Sequence, residues 1–594
     1  MPTPRHAAAI CFALAVVSYP ILFRSDFAIG AAITVAGYAA GTVGFVLLLG
    51  LAHQLAIGQA AFYMIGGYGS AILTSRYGWD GLSAMLLSAA VAVVIAAAVG
   101  LPLLKLRGFV LAIASLALHL LFISLAILLT DFTGGASGIP SLPRFSIGTW
   151  VFTSDLAYYA LAWSVVGVML AIGQNIDRSR IGRALRALAS DESAAVACGI
   201  DTTHYKLLIF AVSAGMASIG GSLLAHYIRV MDPSVFGMQF SLDIVTAVIV
   251  GGLHSVWGAV IGAIAIIALH EALRSLHQPA FEVILVGLLT IVALIRFPSG
   301  IVGAICALYD WLPGAVEAVP ERDIQNAATA PLRIEARGAR GEVMLRVRGV
   351  SRAFGKLRAV SAVSFDVLAG EIVALIGPNG AGKTTMLDMI SGHQSLDGGA
   401  IDFRARAVNR LLPDKIAGAG VARTFQAVRL FENMSVIENV MCGAHVFGNS
   451  GILSISFNLP RVKKDERRLK QAAMRELSFV GLADSASLLP GQSPFGHQRM
   501  IELARAMALE PSLLLLDEPA SGLNDTETEA LAGLLLEIRA RGVTILLVEH
   551  DIRLVMGVAD KLVVMDHGEL IAEGPTEKVR ADPKVISAYL GVAA

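Results

Sequence analysis

The sequence predicts two dissimilar halves, a multi-span α-helical membrane domain followed by a soluble α/β domain built around a phosphate loop. Three observations predict it. Charge is uneven: residues 1–300 hold 26 of the 92 Asp, Glu, Lys and Arg residues of the 594-residue chain. Apolar runs of about 20 residues, the length that crosses a bilayer, recur through the first half. A strand-like run leads into a glycine-rich loop and a helix in the second, "EIVALIGPNGAGKTTMLDMI" (371–390). At 55% hydrophobic and 15% charged, the chain is too apolar for one soluble protein of this size.

The first half, 1–300, reads as the membrane domain. Candidate spans lie near 7–23, 27–50, 54–74, 82–104, 108–130, 152–173 and 205–228, with further apolar stretches over 241–271 and 280–297. The basic, then apolar, start resembles a signal peptide, but further spans follow at once, so it reads as a retained first helix. Arg178, Arg180, Arg183 and Arg186 put the loop 177–200 on the cytoplasmic side by the positive-inside rule. A cytoplasmic second half then requires an odd number of crossings after residue 240. "VGGLHSVWG" (250–258) is the expected break, giving three short crossings. Polar residues set in this half are Gln54, Gln59, His119, Asp243, His270, Glu271 and Glu282. Most are expected near headgroups, with His119 near a span centre.

Residues 301–341, rich in Pro, Ala, Gly and charge, read as a linker, and 342–594 as the α/β domain. Formal net charge is zero, which gives no sign of a nucleic-acid partner. The four cysteines, Cys11, Cys198, Cys306 and Cys442, are scattered, so buried free thiols are expected.

Gly377, Pro378, Asn379, Gly380, Ala381, Gly382, Lys383, Thr384 and Thr385 form a phosphate-binding loop between strand and helix, its required context. Glycines let backbone N–H groups turn toward phosphates, and the helix N-terminus adds positive potential. Lys383 is placed to reach the β- and γ-phosphates of ATP, and Thr384 to ligate Mg²⁺. In "SLLLLDEPASG" (512–522) an apolar strand ends in Asp517 and Glu518, at the edge where parallel sheets bind ligands. Asp517 is expected to hold Mg²⁺ through water, and Glu518 to polarise the attacking water.

With these motifs the second half resembles an ABC-transporter ATPase across 342–594. The resemblance implies that Phe354 in "SRAFG" stacks on adenine and that Gln426 in "RTFQ" contacts Mg²⁺ and the membrane domain. It further implies that His550 in "LLVEHD" contacts the γ-phosphate. "PASGLND" (519–525) matches the loop after the catalytic glutamate, with Asn524 where Asp is commoner. "QSPFGHQRMIELARA" (492–506) matches the signature loop and its helix, with Ser493 and Gly496 expected at nucleotide, but Pro494 stands where serine is usual and His497 replaces glutamine. Such ATPases act in pairs, and each signature loop completes the partner's site.

The first half resembles the permease of branched-chain amino-acid ABC importers over about 35–305, through "IGQAAFYMIGGYGSAIL" (57–73), "LRGFVLAIASLAL" (106–118), "DFTGGASGI" (131–139), "ALASDESAAVACGIDTTHYKLLIFAVSAGMASIGGSL" (187–223) and "GGLHSVWGAVIGA" (251–263). The resemblance implies a bacterial inner-membrane importer with permease and ATPase on one chain. It also implies a coupling helix in 190–200 and, as partners, a second permease, a second ABC ATPase and a periplasmic binding protein. The same broad family includes importers of urea, amides and aromatic acids. An exporter half-transporter is the competing architecture. It calls for six long spans with charged cytosolic extensions, unlike the short, numerous spans here.

Overall fold

The computed structural model describes residues 4–106, 108–274, 279–296, 299–310 and 341–590. The chain divides into two compact units. One comprises Met1–Arg178, Thr203–Val316 and Ile452–Asn458; the other comprises Ser179–Thr202, Glu317–Gly451 and Leu459–Ala594.

The first unit is helical. Five of its described helices are long and apolar enough to cross a membrane: Asp26–Leu51, Gly81–Leu103, Phe109–Leu128, Asp155–Asp177 and Thr202–Ile228. Three begin at polar caps that satisfy an otherwise unpaired N–H. Ser25 accepts from Ala28, Asp80 from Ser83 and Ser154 from Ala157. The span expected at 54–74 is the 18-residue helix Ala60–Tyr77, which falls short of spanning composition. Its glycines allow close packing: a Cβ on Gly66 would stand 1.9 Å from the Ser218 carbonyl of Thr202–Ile228.

After the span Thr202–Ile228 the described chain makes four helices, Met238–Gly251, Gly258–Arg274, Pro279–Arg296 and Gly300–Asp310. The first two have only 14 and 17 residues. They are separated at Gly252, whose φ of +124° only glycine adopts readily. The break expected from crossing parity is therefore present. The stretch expected as linker from 301 begins with the helix Gly300–Asp310, and 311–340 lie outside the described residues.

Gln59 and Asp243, expected at headgroups, are instead inside the bundle, and His119, expected near a span centre, is buried there too. Gln59 donates to Ser213 Oγ at 2.6 Å. His119 is fully buried, its Nε2 2.8 Å from the Phe236 carbonyl. Asp243, 3% exposed, has His270 Nε2 at 3.4 Å. Polar groups in an apolar interior need such partners. The side chain of Glu282 lies outside the described residues. Cys198 and Cys442 are buried and free, but Cys11 is exposed, which corrects the expectation for that thiol. Its helix turns that face outward. Burial pushes the Cys442 thiol up to about 12.

The second unit carries two sheets. β1 (Val343–Phe354) and β2 (Leu357–Leu368) form an antiparallel hairpin, and β4 (Gly398–Phe403) pairs with β1. The larger sheet also uses β3 (Ile372–Ile376), β5 (Val421–Arg423), β6 (Leu513–Asp517), β7 (Thr544–Val548), β8 (Lys561–Asp566) and β9 (Glu569–Pro575). Its order is β9-β8-β3-β7-β6-β5, parallel except for β9. Every residue of β3, β6 and β7 is buried. This explains their unbroken apolar runs, since a central parallel strand is covered on both faces. The carboxyl ends of β3, β6 and β7 lie side by side and carry the site.

Candidate functional site

The sheet register aligns the two strongest motifs. Leu375 of β3 pairs with Val548 of β7, and Val548 pairs with Asp517 of β6. The phosphate loop therefore leaves the sheet next but one to Asp517 and Glu518.

The loop turns tightly between β3 and the helix Lys383–Ile390. Gly377, with φ +153°, lies so close to β8 that a Cβ would stand 2.0 Å from the Met565 carbonyl. Asn379 and Gly380 are exposed at the loop tip, whereas Ala381 is buried. Lys383 Nζ donates to the carbonyls of Gly377 and Pro378, both at 2.9 Å, which holds the ammonium over the loop. Burial pulls the Lys383 pKa down, opposed by the carboxylates of Glu518 and Asp517. Thr384 Oγ1 donates to Asp517 Oδ1 at 3.4 Å, and Thr385 follows in the first helical turn.

Asp517 is 1% exposed, and desolvation raises its pKa against the pull of Arg423. Arg423 is a residue that motif reading missed. Its guanidinium contacts Asp388 at 2.6 Å, Ser391 Oγ at 2.7 Å and Asp517 at 3.6 Å. It thus ties the helix after the phosphate loop to the end of β6. The only sequence sign was its place three residues before Gln426.

Glu518 has φ +47°, an uncommon conformation for a side-chain-bearing residue. Two predicted residues meet on its carboxylate. His550 Nε2 lies 2.9 Å from Oε1, and Gln426 Nε2 donates to Oε2 at 2.9 Å. Glu549, also missed, accepts from the backbone N–H of Ala520 at 2.7 Å and of His550 at 2.9 Å. It locks the loop after Glu518 to the segment bearing His550. Asn524 caps the helix Asp525–Ala540 in a reciprocal capping box with Glu527, which gives its amide a structural task.

Phe354 ends β1 and is 45% exposed, with the Arg352 guanidinium 5.1 Å from its ring centroid. The signature segment stands apart. Pro494 is the N-cap of Phe495–Met507, in an extended conformation with no side-chain cap bond. Ser493 is buried and its carbonyl accepts from Gln498 Nε2 at 2.9 Å. Among the described residues, neither Ser493 nor Gly496 bonds to the phosphate loop of its own chain. Arg499 of the same helix donates to the carbonyls of Phe425 and Gln426. The signature helix therefore positions the Gln426 segment.

The stretch Ser179–Thr202 belongs to this unit. It forms the helices Arg180–Ser190 and Glu192–Ala197, the second capped by Asp191. The other oxygen of Asp191 pairs with Arg429 at 2.9 Å, three residues after Gln426. Arg183 pairs with Glu466 at 2.8 Å and Arg186 with Glu438 at 3.0 Å. The short helix expected in 190–200 is present, seated beside the Gln426 segment.

Comparison with known proteins accounts for both halves. Residues 27–294 match the family of branched-chain amino acid transport system permease components. Residues 360–521 match the ABC transporter family, and 569–594 a branched-chain amino acid ATP-binding cassette transporter family. The high-affinity branched-chain amino acid transport ATP-binding protein BraF of Pseudomonas aeruginosa is 41% identical over 251 residues, spanning 42% of this chain and 98% of BraF. The corresponding LivG proteins of Salmonella typhimurium and Escherichia coli are 42% and 41% identical with the same coverage. These relatives correspond to the ATPase part alone.

Proposed function

The chain belongs to the ABC transporters of the branched-chain amino-acid type, with permease and ATP-binding cassette on one polypeptide, and we propose that it imports branched-chain amino acids or related small amphipathic solutes across the bacterial inner membrane. ATP hydrolysis is coupled to this transport. The observation that carries the catalytic reading is the convergence of Gln426 and His550 on the Glu518 carboxylate, beside Asp517 and Thr384.

In this reading Phe354 stacks on adenine, and backbone N–H groups of Gly377, Pro378, Asn379, Gly380, Ala381 and Gly382 face the phosphates. Lys383 leaves its two loop carbonyls for the phosphate oxygens. Thr384, Asp517 and Gln426 would hold Mg²⁺; the hydroxyl, carboxylate and amide oxygens they offer are the hard donors that this cation takes. When bound, the cation neutralises charge on the transferring phosphoryl group. Glu518 orients and polarises the attacking water, and His550 fixes that carboxylate and reaches the γ-phosphate. Ser493 and Gly496 complete the site of a second cassette, and the chain works with a second permease, a second ABC ATPase and a periplasmic binding protein. The ion pairs that seat 179–202 beside Gln426 support coupling of nucleotide state to the permease.

Glu518→Gln tests the catalytic reading. ATP binding should persist while turnover falls about 10²–10⁴-fold, the usual contribution of a positioned base. Phosphate release and uptake of labelled leucine are read in the same vesicles. Turnover at the parent rate would remove Glu518 from its assigned role. Uptake of urea in place of leucine would move the substrate to another branch.

A further inference from the structure

We propose that residues 452–459 form a membrane-interface anchor, inserted among lipid headgroups at the cytoplasmic end of helix Asp155–Asp177. The segment is encoded inside the cassette sequence, yet Ile452–Asn458 belongs to the helical unit. Asn175, in the last turn of Asp155–Asp177, donates to the Ser456 carbonyl at 2.8 Å. That helix has the length and composition of a membrane span, and its end leads into the arginine-rich stretch 178–186. The segment is therefore held where a span meets water on the basic side.

Its apolar residues divide cleanly. Ile455 is 1% exposed, while Leu453 and Phe457 are 73% and 65% exposed. Those values match the most exposed positions of the candidate spans, such as Leu128 at 74% and Val94 at 67%. Large apolar side chains left exposed together mark an interaction surface, and a short apolar wedge at a span end fits the interfacial region.

Charge selects lipid over protein as the occupant. The next helix, Pro460–Phe479, begins one residue after Leu459, so Lys463 lies within roughly 20 Å of Phe457 by chain length alone. Arg461, Lys463, Lys464, Arg467 and Arg468 are exposed on it. Its early acids are engaged elsewhere: Asp465 accepts from Asn449 and Ser450, and Glu466 from Arg180 and Arg183. An apolar wedge followed by exposed cations complements a membrane bearing acidic phospholipid.

The test places photoreactive benzoyl-phenylalanine at position 457 of the full chain, reconstituted in phosphatidylcholine vesicles containing labelled phosphatidylglycerol. Illumination should give a lipid adduct well above that from the same probe at Ile586, an exposed residue of the helix Pro583–Leu590. An adduct with a second polypeptide, or a lipid yield no greater than at Ile586, would overturn the anchor. Labelled phosphatidylglycerol should be captured in preference to labelled phosphatidylcholine, by about fivefold for each cation reaching the surface. Lys463→Gln with Lys464→Gln should reduce that preference without abolishing the adduct. Equal capture of both lipids by the parent chain would overturn the assignment to acidic lipid.

Discussion

The Glu518 cluster and the signature loop are built in opposite ways within one cassette. The Glu518 carboxylate is gripped by side chains from two distant segments, on a backbone held at positive φ, with Glu549 fastening the loops behind it. The loop at 493–496 opens its helix without a side-chain cap and accepts one side-chain hydrogen bond, from Gln498, while the Arg499 guanidinium lies over the Phe495 ring. A site held from several sides depends on each partner for the direction its carboxylate faces. A loop held mainly by backbone can exchange side chains with little effect on the fold. This is why Pro494 can stand at a position where the signature pattern calls for serine.

The largest break in that contrast comes from Lys383→Ala. The loop has no other cation, and the substitution should abolish ATP turnover while the cassette stays folded. The two lost carbonyl bonds are worth about 1.5–3 kcal/mol each, partly offset because a buried ammonium no longer has to be desolvated. Phosphate release and thermal unfolding measured together check both parts. Measurable turnover at the parent rate would show that the phosphates are held elsewhere.

A second break acts at the seat of 179–202. Arg183 is 6% exposed at its side chain and Glu466 is 26% exposed. Removing one partner of a buried pair costs about 3–5 kcal/mol, and the exposure of Glu466 favours the low end. Arg183→Met should therefore leave basal ATP turnover near normal while solute uptake per ATP falls at least tenfold. Uptake and phosphate release measured in the same vesicles give that ratio, and an unchanged ratio would detach this ion pair from coupling.

The two units also differ in how far their sequences disclosed them. The places of the phosphate loop, Asp517 and Glu518 were legible because their motifs sit at the ends of parallel strands, and those of Gln426 and His550 came from the family resemblance. Arg423 and Glu549 were not, because a buried ion pair or a backbone acceptor has no motif: only the fold reveals that Arg423 faces both Asp388 and Asp517. In the helical unit, hydropathy located the helices and the break at Gly252. It left Gln59 and Asp243 at headgroups when they are buried. Hydropathy measures average solvent preference and carries no information about which helix face a polar residue occupies.

The smallest expected effect bears most directly on the contrast, and it belongs to Pro494→Ser. On stability the change should be nearly neutral. A serine N-cap contributes about 0.5–2 kcal/mol, while losing proline returns about 0.4–1 kcal/mol of freedom to the unfolded chain. On activity it should not be neutral, because a hydroxyl is restored at the head of the signature helix. A hydrogen bond to a charged group is worth about 1.5–3 kcal/mol, so the site it completes should gain at least tenfold in ATP affinity or rate. In a heteromeric complex that site lies on the partner's phosphate loop. The gain should then persist when this chain's own site is silenced by Glu518→Gln. ATPase rates of the Glu518→Gln complex with and without Pro494→Ser decide it. A gain seen only with Glu518 intact would mean that two copies of this chain pair with each other. No gain in either background would mean that the backbone of the loop, with Gly496, already provides all that the partner's nucleotide uses.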